Sequence, residues 1–238
     1  MTIRKKIKNI LRPLFHLLSK NIQQNLHFYY YNFTRDASFI RKKSFWVNKF
    51  DNIEILSRTP LYRYNTVLEM FGKYYNFKNG DVIIDGGAHR GYTSIYFSKL
   101  VGDSGKVFSF EVDKKSIKVF KDTIKLNNSH NINLVENLLW SKSTELDFAE
   151  SGEELSSVHY NTKNVKKVKK KAISIDDFAE KNNLERIDFI KMNIEGAEIE
   201  TLYGSRNIIN KFSPSFAISA DHTVNGKLTY IDAENSIG

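Results

Sequence analysis

Two carboxylates stand where a nucleoside-bearing ligand would need them. Asp85 ends an apolar run over residues 82–84, and Gly86, Gly87, Ala88, His89 and Gly91 follow before an apolar-periodic stretch opens near Tyr92. A buried strand, a glycine turn and a helix N-terminus in that order form a cradle. Glycine lets backbone approach a ligand, and the first helical N–H groups point at its negative end. About one β-α-β unit later a second short apolar run, residues 106–110, ends in Glu111. A carboxylate at the end of the second strand can accept both hydroxyls of a ribose. Short glycine patterns recur by chance, so the strand context and the spacing to Glu111 carry the argument. The competing reading is a pair of strand-end carboxylates satisfied by turn N–H groups.

The spacing also discriminates between cofactors. A dinucleotide site reads G-x-G-x-x-G, because a pyrophosphate lies against the backbone. Here Gly87 and Gly91 enclose three residues, and Asp85 stands at the mouth of the strand. A carboxylate there repels a pyrophosphate and suits an amine, such as that of S-adenosyl-L-methionine (SAM), whose carboxylate the helix N-terminus can hold. A nicotinamide-dependent oxidoreductase on a related fold is the alternative, and Asp85 speaks against it.

Four blocks resemble the FkbM-type methyltransferases: residues 80–93 (GDVIIDGGAHRGYT), 102–113 (GDSGKVFSFEVD), 137–141 (NLLWS) and 187–198 (IDFIKMNIEGAE). The resemblance spans about residues 70–230. It implies SAM-dependent O-methylation, commonly of a sugar or other hydroxyl in glycan or natural-product pathways. It also places Leu139 and Trp140 in the segment that lines the adenine, and Val112 and Asn193 among the cofactor contacts. Three positions depart from the family pattern: His89 stands for a usual Asn, Val112 for a common Pro and Asn193 for a common Asp. The last removes a carboxylate near the expected reaction centre, and a non-catalytic member that keeps the fold is a further alternative.

Composition bounds the rest. The 238 residues are 41% hydrophobic and contain no cysteine, which excludes disulfides, thiolate metal sites and cysteine nucleophiles. The histidines, at 16, 27, 89, 130, 159 and 222, lack the short pair spacing of a zinc motif, and no metal site is expected. No apolar run is long enough to span a membrane and no signal-peptide pattern is present, so the expected location is cytoplasmic. Charge is uneven. Residues 1–60 hold 12 Lys+Arg against 3 Asp+Glu, and residues 61–238 hold 24 of each, so the net +9 resides in the first quarter. That argues for a basic arm (1–60) on a neutral catalytic domain (61–238), and against a nucleic-acid enzyme.

In the arm, Ile3, Ile7, Ile10, Leu14 and Leu18 recur at helical spacing among lysines and arginines. Such a helix can lie on an anionic membrane at the inner face, or pack on protein. The aromatic run 27–33 reads as a packing face rather than a base-stacking one. Residues 41–60 read as a connection with some helix, and 61–75 as a longer helix. Beyond it, strands are expected near 81–86, 106–111, 132–137, 187–193 and 215–220, with helices near 92–101, 114–127, 175–182 and 197–210. Two short strands, 145–149 and 168–174, form an insertion. This is a doubly wound, mostly parallel α/β sheet of the Rossmann-like methyltransferase type. The last two strands of that fold are not found, which predicts an uncovered edge near 215–220 open to homodimerisation. The six lysines within 163–171 read as a solvated edge strand, with a polyanion site as the alternative.

Ligands on such sheets bind beyond the carboxyl ends of the strands, where Asp85, Glu111, Asn193 and Asp221 fall. A hydroxyl acceptor needs its proton removed. His222, which titrates near neutrality, is the first candidate base, against a plain loop histidine. Glu195 either positions the acceptor or caps the following helix, and Gly196 allows the turn there. His89 either contacts the cofactor or caps a helix, and Trp140 either packs on adenine or joins the core.

Overall fold

The computed structural model describes residues 37–50, 52–62, 64, 68, 71, 74–149, 167–219, 223–224 and 227–228. The expected basic helix, the aromatic run 27–33, Asp221 and His222 lie outside these residues. The chain divides into two compact units, Met1–Glu69 and Met70–Gly238. Among the described residues no helix is long and apolar enough to cross a membrane.

In the first unit, β1 (Ala37–Arg41), β2 (Trp46–Phe50) and β3 (Ile53–Ser57) form an antiparallel meander. This corrects the expected connection with some helix at 41–60. Phe50 pairs with Ile53, and the two residues between them in the sequence, Asp-Asn, are of types that favour tight hairpins. Phe39, Phe50 and Ile55 are buried, and Phe39 meets Phe50 and Tyr62 edge-on at 5.8 and 4.8 Å. Two polar side chains, Asn48 and Ser57, sit inside. Asn48 donates to the Ile55 carbonyl and to Ser57 Oγ, both at 2.8 Å, and accepts the Leu61 N–H at 2.9 Å. All its strong groups are therefore met, as burial demands. Within the expected helix at 61–75, the Leu68 N–H bonds to the Tyr64 carbonyl and the Tyr75 N–H to the Phe71 carbonyl, both α-type.

The second unit alternates strand and helix: β4 (Val82–Gly86), α1 (Tyr92–Val101), β5 (Lys106–Phe110), α2 (Lys114–Asn127) and β6 (Ile132–Val135). An insertion follows, β7 (Leu138–Leu139), β8 (Thr144–Ala149) and β9 (Lys167–Ile173), before α3 (Ile175–Lys181) and β10 (Phe189–Met192). The chain continues through α4 (Glu198–Tyr203), α5 (Arg206–Phe212), β11 (Ser215–Ile218) and a hairpin, β12 (Thr223–Val224) and β13 (Lys227–Leu228). The main sheet is parallel, in the order β11-β10-β4-β5-β6. Strand order reverses between β4 and β10, which is the switch point where such sheets bind ligands.

Both faces of the sheet are apolar and covered, as parallel sheets require. Phe97 of α1 packs with Phe77 and Phe189 on one face, and Phe178 of α3 meets Phe108 and Phe110 edge-on on the other. Caps set the helix limits. Asp113 accepts the N–H groups of Lys115 and Ser116 to open α2, and Asn128, at φ 51°, closes it in the left-handed region.

Two details differ from expectation. The helix expected at 197–210 is split into α4 and α5. The Asp176 N–H takes the Gly204 carbonyl, and the Asp176 carboxylate takes the N–H groups of Asn207 and Ile208, so α3 supplies the caps of both ends at the break. The lysine strand is the middle of its own sheet, β7-β9-β8, rather than an edge. β7 reaches only Ala172 and Ile173, so the lysine half has β8 alone beside it. There Glu145 faces Lys171 and Asp147 faces Lys169, cross-strand pairs that fit a solvated surface. β11 is the expected edge: among the described residues only β10 pairs with it.

Candidate functional site

The register of the main sheet places three polar residues side by side under its carboxyl end. Lys191 of β10 pairs with Asp85 of β4, and Asp85 pairs with Ser109 of β5. The row faces α1, whose Ser94 completes it. Ser109 Oγ donates to Ser94 Oγ at 2.9 Å, and Ser94 Oγ donates to Asp85 Oδ2 at 2.6 Å. The Lys191 ammonium lies 3.0 Å from Asp85 Oδ1, an ion pair without the geometry of a directed hydrogen bond. Its directed bonds go to the carbonyls of Gly86 and Gly87, both at 3.0 Å. Asp85 is fully buried and Lys191 nearly so. The charge argument made for Asp85 is thereby corrected: the cation beside it is a lysine of the same chain, brought there by strand pairing. Residues 187–192 held one signal of this, a lysine inside an apolar run, since a buried lysine must be paired.

The turn after β4 is knit to the end of β5. The N–H groups of Gly87 and Ala88 both bond to the Phe110 carbonyl, at 3.1 and 3.0 Å. His89, in the left-handed region at φ 51°, aims its N–H at Glu111 Oε2 at 2.7 Å. The space that glycine leaves is filled by protein rather than held for a ligand. A Cβ on Gly87 would lie 2.0 Å from the Asn193 carbonyl oxygen, and one on Gly91 would lie 1.9 Å from the Phe120 ring. Both glycines also have positive φ, 70° and 79°, so this tight turn is open to glycine alone. No side chain caps α1, and its first bond runs from the Ile95 N–H to the Gly91 carbonyl. The helix start therefore presents N–H groups at the strand ends, as an anionic group requires.

Glu111 accepts three backbone N–H groups: His89 on Oε2, and Val112 and Asp113 on Oε1 at 2.7 and 2.8 Å. A carboxylate offers about four acceptor positions, so one on Oε2 remains. The structural reading of this residue and the ribose reading thus hold together, with room for one hydroxyl rather than two. Burial raises the Glu111 pKa above its ordinary value, and the bonds from Asp113, Val112 and His89 pull the other way without cancelling it.

Across the switch point, Asn193 follows β10 and is exposed. Its N–H bonds to the Gly86 carbonyl at 3.1 Å, which holds the fourth strand end against the first turn. Glu195 and Gly196 both take positive φ, 55° and 101°, before α4. Glu195 is not the cap of that helix. Buried Glu198 bonds the turn instead, accepting the Ile194 N–H at 2.9 Å, and the N-cap position is Ala197. Leu139 is a core residue packed on Gly86, and Trp140, half-buried, donates its N–H to the Ile173 carbonyl at 3.1 Å. Val112 is buried, and its carbonyl accepts Lys170 Nζ from β9. Sequence reasoning did not identify Lys191, Ser94 or Lys170, because each is defined by packing between elements, distant in sequence for Lys191 and Lys170 and consecutive for Ser94.

A family model described as the methyltransferase FkbM domain matches residues 85–232. This chain belongs to the FkbM methyltransferase family. SAM is the methyl donor of the family, and the nicotinamide alternative gives way to it. Among solved structures, an FkbM methyltransferase from Methylobacillus flagellatus KT is similar at 18% identity and a TM-score of 0.51. That alignment covers 74% of this chain and 45% of the other, so the chain spans less than half of that protein. Fibrillarin from Aeropyrum pernix, solved with natively bound SAM, is 13% identical with a TM-score of 0.45 over 85% of this chain and 88% of its own. A precorrin-6y C5,15-methyltransferase from Geobacter metallireducens GS-15 is 17% identical with a TM-score of 0.44 over 72% and 68%. At 18% identity the likeness to the Methylobacillus protein is one of fold. No curated protein matches the chain.

The residues fit SAM. Glu111 keeps an acceptor position for a ribose hydroxyl, and the start of α1, with no side-chain cap, suits the cofactor's carboxylate; the two stand at the carboxyl ends of neighbouring strands, β5 and β4. Bound SAM supplies a methyl group on a sulfonium that is already a good leaving group.

Proposed function

We propose that this FkbM-family chain is an O-methyltransferase whose acceptor is a hydroxyl of a saccharide or glycoconjugate. The observation that carries the reading is the placement, at the carboxyl ends of the two strands that flank β4, of Glu111 with an acceptor position to spare and of an exposed Asn193. Glu111 and the start of α1 orient the cofactor, and Leu139 and Trp140 border its adenine. Asn193 and Glu195 position the acceptor. Alignment of reacting groups can contribute about 7–11 kcal/mol to such a displacement. A placed base that takes the hydroxyl proton adds about 10²–10⁴ in rate, and His222 is the proposed base. The saccharide class and the oxygen specificity rest on the resemblance of the four sequence blocks. The basic arm brings the enzyme to an anionic membrane surface, and the β11 edge is the proposed contact of a homodimer.

The test is methyl transfer from isotopically labelled SAM to a panel of free and lipid-linked saccharides, with products read by mass spectrometry. O-methyl sugars are expected. Label found only on nitrogen or carbon acceptors would overturn the oxygen assignment, and label found on non-saccharide hydroxyls alone would overturn the substrate class. The departure at 193 favours one further comparison, Asn193→Asp. A weakened enzyme gains activity from the restored carboxylate, whereas a non-catalytic scaffold does not.

A further inference from the structure

Lys191 is the least expected residue of the main sheet. It interrupts a buried parallel strand, is 8% exposed, and none of the roles assigned above uses it. Its contacts, however, converge on the cofactor turn. One ammonium touches three consecutive residues, Asp85 by ion pairing and Gly86 and Gly87 through their carbonyls. The Gly86 carbonyl also accepts the Asn193 N–H, so the same point ties the first and fourth strand ends together. From Asp85 the contacts pass through Ser94 into the first turn of α1. The pieces of backbone that face the anionic end of SAM are thus held by one chain of contacts that begins at Lys191.

We infer that Lys191 is a positioning residue for the amino-acid end of SAM. Its ammonium fixes the 85–87 turn and, through Asp85 and Ser94, the start of α1. It also takes up the Asp85 charge that would otherwise meet the cofactor's amine. Recognition of the amino-acid end passes through the backbone of the turn and helix, and Asp85 acts through Lys191. The inference rests on SAM being the cofactor. A buried ion pair that served the fold alone would affect stability and leave ligand selectivity unchanged, which separates the two roles.

The experiment is calorimetric titration of the full chain with S-adenosylhomocysteine and with 5′-methylthioadenosine, which lacks the amino-acid end, alongside melting curves. The proteins are wild type, Lys191→Met, Asp85→Asn and the double variant. Lys191→Met is expected to weaken S-adenosylhomocysteine by about tenfold or more, the scale of a hydrogen bond to a charged group, and to leave methylthioadenosine almost unchanged. Asp85→Asn should do the same, because it leaves the buried ammonium without its counterion. Because Asp85 acts through Lys191, the double variant should bind S-adenosylhomocysteine no more weakly than Lys191→Met does. Equal weakening of both ligands, or a lower Tm with unchanged affinities, would overturn the inference in favour of a purely structural pair. A double variant weaker than Lys191→Met by the full effect of Asp85→Asn would overturn it in favour of direct contact between Asp85 and the amine. Wild-type protein that binds neither ligand would instead remove the cofactor reading, and the inference with it. Should Lys191→Met fail to fold, Ser94→Ala carries the same selective expectation, since it loosens Asp85 from α1 and leaves the ion pair in place.

Discussion

Glu111 is under two opposed demands. Burial favours its neutral form, and three backbone N–H groups favour the carboxylate. Its folded pKa lies above the ordinary value, so its contribution to stability is full below that ordinary value and is lost as pH rises through the raised one. Affinity for SAM runs the opposite way, because a ribose hydroxyl donates to a carboxylate, and it falls as pH drops through the same raised value. Across acid pH, the difference in melting temperature between wild type and Glu111→Gln should therefore run opposite to the difference in their calorimetric affinities. Gly87 gives a second expectation. Gly87→Ala puts a methyl group against the Asn193 carbonyl in a left-handed conformation, which alone costs about 1–2 kcal/mol. A lower denaturation midpoint with weaker SAM binding is the expected result. At this scale the sequence marked the strand-end residues and hid their supports. Glu111 is legible because it ends a strand at a known distance from a glycine turn. Lys191 is visible only as an oddity, because its partner Asp85 lies 106 positions away and is chosen by strand register.

Elements were legible wherever local signals agreed. The helices read at 92–101 and 114–127 have those bounds in the structure, since glycine and Asp113 open them and Gly102 and Asn128 close them. The split between α4 and α5 was not legible, because its cause is Asp176, a residue of α3. The meander of β1 to β3 was missed for a different reason. Its central strand buries Asn48 beside Val47 and Phe50, which blurs the period-2 pattern a half-buried strand should show. Asp176 offers a direct test of the split. Asp176→Ala leaves the N–H groups of Asn207 and Ile208 without their acceptor, and loss of a helix cap costs about 0.5–2 kcal/mol. Urea unfolding should show a lower midpoint with an unchanged slope. An unchanged midpoint would mean that water replaces the carboxylate without loss.

Across the whole molecule, charge and fold are segregated. The candidate site residues fall in a stretch whose charges balance, and the net +9 belongs to residues 1–60. Part of that charge lies on the described meander, where Lys42 and Lys43 are exposed. Residues 1–20 contribute six Lys+Arg and no acid, interleaved with isoleucine and leucine at helical spacing. Near an anionic bilayer each such cation contributes about 1 kcal/mol, and the attraction decays within a Debye length of about 10 Å at 0.1 M salt. The full chain should therefore sediment with vesicles containing phosphatidylglycerol and stay in solution with neutral ones, and the binding should weaken steeply between low and physiological salt. Deleting residues 1–20 should abolish vesicle binding while leaving affinity for S-adenosylhomocysteine unchanged, because the cofactor-binding residues described above all lie beyond residue 80. If the deletion instead lowers the melting temperature and vesicle binding persists, residues 1–20 pack on protein, and the bilayer contact belongs to the lysines of the meander.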